Sequence, residues 1–144
     1  MSLVANAYLE AQVLTASPER LHLLVVDAAI RFARQALAAL EDKDAEAAFH
    51  ALARGRSCVT EILTGIASDP NPELADRLRG LFVFVQQNLT RADLSRDPQL
   101  VRDALQILET HRQTWLELID RIQQAQPDRS TVDEFGVSER SWTT

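Results

Sequence analysis

The chain has 144 residues, of which 46% are hydrophobic and 6% aromatic, and its formal net charge is −6. This length suffices for one domain with a buried core. The acidic balance disfavours general nucleic-acid binding, which requires a basic face. No apolar run is long enough for a membrane span, and the N-terminus lacks the features of a secretory signal peptide. We therefore expect no nucleic acid among its partners and no membrane span.

Ser17 and Pro18 predict the start of the first long helix. The Ser17 hydroxyl can cap the free amides of the first turn, and proline is favoured at the first helical position. Because proline disfavours helical geometry in the residue before it, residues 1–17 are predicted to form a separate N-terminal arm. Tyr8 and Val13 on this arm carry large apolar side chains that require a surface to lie on.

Polar or proline-containing breaks divide the rest of the chain into four long helical segments. The first predicted helix covers about residues 18–40, and the second runs from a cap at Asp42 or Asp44 to about residue 67. The third covers about residues 72–93 and the fourth about residues 98–126. No alternating pattern is long enough to predict a strand. Short connections between long helices favour antiparallel neighbours, so we predict an all-α, up-down-up-down four-helix bundle over residues 18–126. A polar C-terminal tail follows over residues 127–144.

The first helix is apolar on most of its circumference. Its charged residues, from Arg20 to Glu41, fall within a stripe roughly 80° wide on a helical wheel. A bundle helix needs only about three apolar positions in seven. The surplus indicates either a central place in the core or a groove for a partner helix. We expect the flank beside the charged stripe to form one wall of such a groove: Leu23, Val26, Ile30, Ala33 and Leu37.

The third helix carries an aromatic side chain on a face that is otherwise charged. Arg77, Phe84 and Arg91 share one heptad position, and Gly80 leaves a hollow one turn before Phe84. Phe84 is therefore either a rim residue covered by a loop or a contact for a partner. Three neighbours are predicted to be core residues: Leu81, Phe82 and Val85.

Three segments carry a resemblance to a known family. The first is Tyr8…Val13-x-Thr15-Ala16-Ser17-Pro18-Glu19-x-Leu21, followed by Asp27-Ala28-Ala29-Ile30-Arg31-Phe32. The second is Leu81-Phe82-x-Phe84 with Leu89-x-x-Ala92. The third is Trp115 after Arg112. In this order and spacing they resemble the flagellar secretion chaperone FliS family over about residues 4–120. The chain departs from the family pattern where Val26-Asp27-Ala28 replaces Tyr-Asp-Gly, and where phenylalanines replace tyrosines in the third helix.

The resemblance implies a cytoplasmic, non-enzymatic four-helix bundle without a cofactor. Members of the family bind the C-terminal segment of newly made flagellin, prevent its premature polymerisation and keep it ready for type III export. The resemblance also implies the export apparatus or an anti-sigma regulator as further partners. On this interpretation Tyr8 and Val13 cover part of the groove until cargo displaces them.

Other functions fit the residues less well. The sequence His50-Ala51-Leu52-Ala53-Arg54-Gly55 resembles a histidine phosphotransfer motif, but its basic residue and glycine each come one position late, a turn of 100° on a helix. Glu19 and His22 have the spacing of a di-iron ligand pair, but such a site needs a second pair and two more carboxylates. An adaptor bundle that binds another amphipathic helix remains an alternative.

The tail has two interpretations. Its polar, turn-rich composition is typical of a solvated chain end. It nevertheless carries Phe135 and Trp142, which we expect to dock in an apolar groove of the same bundle or of a neighbouring copy. In this second interpretation the tail occupies the surface that otherwise binds cargo. Docking on a neighbouring copy would also produce self-association.

Overall fold

Four α-helices and no strand make up residues 17–67 and 69–125, the part of the chain that the computed structural model describes. The helices are α1 (Pro18–Glu41), α2 (Ala45–Ala67), α3 (Pro72–Ser95) and α4 (Pro98–Ala125). The prediction of an all-α fold is confirmed. Tyr8, Val13 and the tail lie outside the described residues, so the division into arm, bundle and tail stays a prediction.

Side-chain caps set the helix starts that the sequence predicts. The side chains of Ser17, Asn71 and Asp44 each accept a hydrogen bond from the backbone amide three residues later, at 3.3, 3.2 and 3.1 Å. These bonds satisfy amides that have no partner within the helix. Asp44 rather than Asp42 caps α2, because Asp42 ends α1.

The helices form a closed ring in which each contacts the next and α1 also contacts α4. Along α1 and α4 the contacts run in opposite order, from Glu19 with Trp115 to Glu41 with Arg102. The same reversal joins α3 to α4, since Phe82 packs on His111 whereas the later Asn88 bonds the earlier Leu100. This arrangement encloses one core, to which each helix contributes fully buried side chains. Examples are Val26, Leu52, Phe82 and Leu108.

Part of the predicted groove wall belongs to this core. Val26 and Ala33 are 0 and 1% exposed, so their predicted place on a groove wall is wrong. Ile30 is 5% exposed but lines a depression on the α1/α4 seam, so its contact with a partner stays a prediction. Leu37 is partly buried and packs against the same core. Leu23 is half-buried.

The physical reason is that the charged stripe of α1 does not face away from the bundle. Asp27 accepts a hydrogen bond from Arg112 of α4 at 2.5 Å, and Glu41 pairs with Arg102 at 2.9 Å. Arg34 pairs with Glu109 between these two contacts. The stripe therefore lies on the seam between α1 and α4, and the apolar flank beside it turns inward.

Gly55 lies where α2 meets α1 and α3. A methyl group built on Gly55 would lie 3.6 Å from Leu89 Cδ1 and 3.7 Å from Phe32 Cβ, which is ordinary van der Waals contact. The helices therefore cross closely at Gly55, but the crossing leaves room for alanine. A longer side chain has no such room.

We therefore expect Gly55→Ala to raise the free energy of unfolding by about 0.5–1 kcal/mol, because alanine has the higher helix propensity. Gly55→Leu should lower it by about 1–3 kcal/mol through overpacking. Urea denaturation with an unchanged slope would measure both changes. A loss of stability in Gly55→Ala would show that the crossing tolerates no methyl group.

Candidate partner-binding surface

An apolar cavity of about 500 Å³ opens at one end of the bundle. The first turns of α1 and α3 and the last turns of α2 and α4 meet there. We call it the end cavity. Its principal apolar lining residues are Leu21, Val25, Ile62, Ile66, Leu78, Trp115 and Ile122.

A second depression, the α3/α4 groove, runs between α3 and α4 and has a volume of about 580 Å³. Leu81 and Ile107 form its apolar floor with Leu74 and Leu118. Both depressions share four lining residues: Leu74, Leu78, Trp115 and Leu118. The end cavity and the α3/α4 groove are therefore two parts of one continuous apolar surface.

Large side chains on this surface are open to solvent. Leu74, Leu81, Leu118 and Ile122 are 36–38% exposed. The prediction that Leu81 belongs to the core is therefore wrong, whereas Phe82 and Val85 are fully buried as predicted. Contiguous exposed apolar area on a folded protein marks a site for a partner. Leu94, which is 82% exposed, lines neither depression.

A pair of histidines lies where the end cavity and the groove meet. The Nε2 atoms of His22 in α1 and His111 in α4 are 2.7 Å apart. A hydrogen bond at this distance needs one proton between two neutral rings, so one ring donates and the other accepts. The rings also contact Phe82 edge to face and Trp115 at a tilt, with centroid separations of 4.4–6.0 Å. His111 is thus a buried, hydrogen-bonded residue at this junction.

Burial keeps both histidines neutral at pH 7. Desolvation lowers the pKa of His22 to about 4, and desolvation together with the neighbouring His22 lowers the pKa of His111 to about 4. Trp115 completes the junction, because its indole N–H donates a hydrogen bond to the Glu19 carbonyl at 2.9 Å. The first turn of α1 is thus held against α4 by partly buried polar contacts.

Cationic side chains border the α3/α4 groove. Arg77 and Arg121 line it together with Glu117. Within the described residues neither arginine forms an ion pair or a side-chain hydrogen bond. By contrast, Arg112 pairs with Asp27 on the α1/α4 seam. The groove therefore offers a partner an apolar floor and two unpaired positive charges at its edge.

Phe84 lies on α3 outside both depressions. It is 43% exposed, and no atom lies within 4 Å of a methyl group built on Gly80. This matches the predicted hollow beside an exposed aromatic ring. Contact of Phe84 with a partner stays a prediction.

Sequence reasoning missed the residues that line most of the apolar surface. Leu21 and Val25 lie on the flank of α1 opposite the predicted wall, and Leu118 and Ile122 lie in the last turns of α4. The available signal was that apolar residues continue to the very ends of α1 and α4. At a bundle end these positions have fewer neighbours to cover them.

The structure also bears on the two chemical alternatives. His50 is exposed, and the one aromatic contact of its ring within the described residues is with the neighbouring Phe49. Gly55, by contrast, is buried between helices. The two residues therefore do not share one accessible face. His22 directs its Nε2 at His111 rather than toward Glu19, and the described residues contain no cluster of three metal-ligand side chains.

Comparison with known proteins identifies the family. A model described as "Flagellar protein FliS" matches residues 1–122. The chain belongs to the FliS family. It is similar to the flagellar secretion chaperone FliS of Campylobacter jejuni subsp. jejuni serotype O:6, with 23% identity over 117 residues, 81% of this chain and 91% of that protein. The resemblance seen in the sequence is confirmed. Among the described helices of this FliS-family chain, none has the length and hydropathy to cross a membrane.

The histidine junction predicts a pH-dependent stability. Between pH 6.5 and 4 the unfolded chain binds protons at His22 and His111 that the folded chain excludes, so stability should be full above pH 6.5 and fall as the pH falls. The slope is at most about 1.4 kcal/mol per pH unit for each histidine. Urea denaturation at several pH values would measure it.

The matched control is the double variant His22→Gln, His111→Gln, which retains side-chain hydrogen bonding without a titrating ring. Both proteins contain the same carboxylates, whose titration therefore cancels in the comparison. The double variant should lose stability less steeply over this pH range. Equal slopes in the two proteins would contradict the assignment.

Proposed function

We propose that this chain is a cytoplasmic chaperone that binds the C-terminal helical segment of flagellin on an up-down-up-down bundle. The bound cargo cannot polymerise prematurely and stays competent for type III flagellar export. The observation that carries the proposal is the continuous apolar surface of the end cavity and the α3/α4 groove, in a chain that belongs to the FliS family. The similar protein from Campylobacter jejuni is named a flagellar secretion chaperone, which supports the same role.

The shape of this surface fits an amphipathic helix. Leu74, Leu78 and Leu81 follow one another at helical spacing along α3, and Leu118 and Ile122 do so along α4. A helix that lies between two such rows can place anchors at positions i, i+3, i+4 and i+7. The depressions therefore provide an apolar floor that is longer than one helical turn.

The energetics require several anchors. A disordered segment that folds on binding loses about 2–5 kcal/mol or more to ordering. Full burial of one leucine-sized side chain contributes about 1.5–3 kcal/mol. Three or four anchors on the apolar surface therefore offset the ordering of the cargo and leave a net affinity. Arg77 and Arg121 add a preference for acidic residues at the edge of the cargo helix.

The remaining predicted contacts have separate roles in this proposal. Phe84 contributes a second contact on the outer flank of α3. Tyr8 and Val13 on the N-terminal arm cover part of the surface until cargo displaces them. Leu23 and Leu37 lie beside the core and support the shape of α1.

The test is a calorimetric titration of the full chain with a peptide that spans the C-terminal helical segment of its host's flagellin. Stoichiometric binding with a negative heat-capacity change is expected, because apolar area is buried. Leu118→Asp should weaken binding by about tenfold or more, since a lost apolar anchor exceeds 1.4 kcal/mol. Circular dichroism should show unchanged helix content, because Leu118 is partly exposed.

Leu94→Asp is the matched control, because it makes the same change at an exposed leucine outside both depressions. Its affinity for the peptide should equal that of the parent chain. Equal affinities for all three proteins would place the binding site elsewhere. Absence of binding to every one of them would overturn the proposed function.

A further inference from the structure

We propose that the tail, residues 127–144, docks in the α3/α4 groove of its own bundle and competes there with cargo. The competition rests on the proposed function, whereas the docking does not. The tail lies beyond residues 1–122, the part that matches the FliS family. It is therefore a feature of this chain that the family match does not account for.

The tail is long enough to reach the groove. The groove runs back along α4, and Thr114 in its lining lies eleven residues before Ala125, about 17 Å along the helix axis. Phe135 follows Ala125 by ten residues, which span up to about 35 Å when extended. The tail can therefore reverse direction after α4 and still lay Phe135 into the groove.

The tail and the groove are complementary in charge. The tail has four side-chain carboxylates and two arginines, a formal net charge of −2. Asp133 and Glu134 directly precede Phe135. The groove is lined by the unpaired Arg77 and Arg121 and by one carboxylate, Glu117, so its charged lining is net positive. An aromatic side chain beside two carboxylates therefore fits an apolar floor with a net positive edge.

The tether to α4 raises the local concentration of the tail at the groove. A segment tethered by a short linker has an effective concentration on the order of millimolar at a site it can reach. A weak contact is then occupied for much of the time without any partner. Cargo must displace it, so the apparent affinity for cargo is reduced by the fraction of chains with an open groove.

A disulfide trap tests the docking without cargo. The full-length chain first carries Cys58→Ser, so that its own thiol does not take part. The test pair is then Thr114→Cys in the groove and Gly136→Cys, the position after Phe135. The control pair is Thr64→Cys with Gly136→Cys. Thr64 is also an exposed threonine near the same end of the bundle, but it does not line the groove.

Under mild oxidation at micromolar protein, the test pair should form an intramolecular disulfide about tenfold faster than the control pair. Non-reducing electrophoresis and mass spectrometry would measure both rates. Equal rates would overturn the docking. Disulfide-linked dimers as the main product of the test pair would also overturn it, because the tail would then occupy a second copy.

Calorimetry with the flagellin peptide tests the competition. Phe135→Ser should tighten binding by about threefold or more, because it frees the groove. Ser138→Ala, a change in the same tail that removes no apolar anchor, should leave the affinity unchanged. An unchanged or weaker affinity in Phe135→Ser would overturn the competition. If no variant binds the peptide, the proposed function fails, and the disulfide trap alone decides whether the tail docks.

Discussion

The packing of the first turn of α1 against α4 is the contact on which the rest of the candidate site depends. Trp115 donates its indole N–H to the Glu19 carbonyl, and His22 pairs with His111 one turn further into the bundle. Trp115 lines both depressions, so the same side chain that fixes α1 also joins the end cavity to the α3/α4 groove. A shift of this turn would change the shape of both depressions together.

An open apolar surface is compatible with a stable fold because the core extends beyond it along all four helices. Val26, Leu52, Phe82 and Leu108 are almost completely buried, and ion pairs join α1 to α4 along their seam. Exposed ion pairs contribute only about 0–1 kcal/mol each, so their main effect is to fix which sides of α1 and α4 meet. The α3/α4 interface carries no such pair next to the groove among the described residues, and its apolar side chains remain available there.

Recognition by such a surface depends on shape and a few charges rather than on a fixed set of polar contacts. Leu74, Leu81 and Leu118 offer apolar area to any helix with a matching stripe, and Arg77 and Arg121 favour acidic neighbours. The two helices that form the groove are joined directly by the short connection from Ser95 to Pro98. Binding of a helix would therefore depend on the distance between the other ends of α3 and α4, near Leu74 and Ile122.

The sequence by itself determined where α1 and α3 begin, because Ser17 and Asn71 are caps whose action is local. It left two candidates for the cap of α2, of which Asp44 takes that role. It also determined the family, through motifs read in order along the chain. Only the tertiary structure decided which flank of α1 is buried. Val26 and Ile30 are core residues because the charged stripe beside them pairs with α4, a contact that periodicity in one helix cannot reveal. Likewise Leu81 is exposed and Phe82 buried although they are adjacent, since the direction of the neighbouring helix, and not the residue type, sets the burial of each.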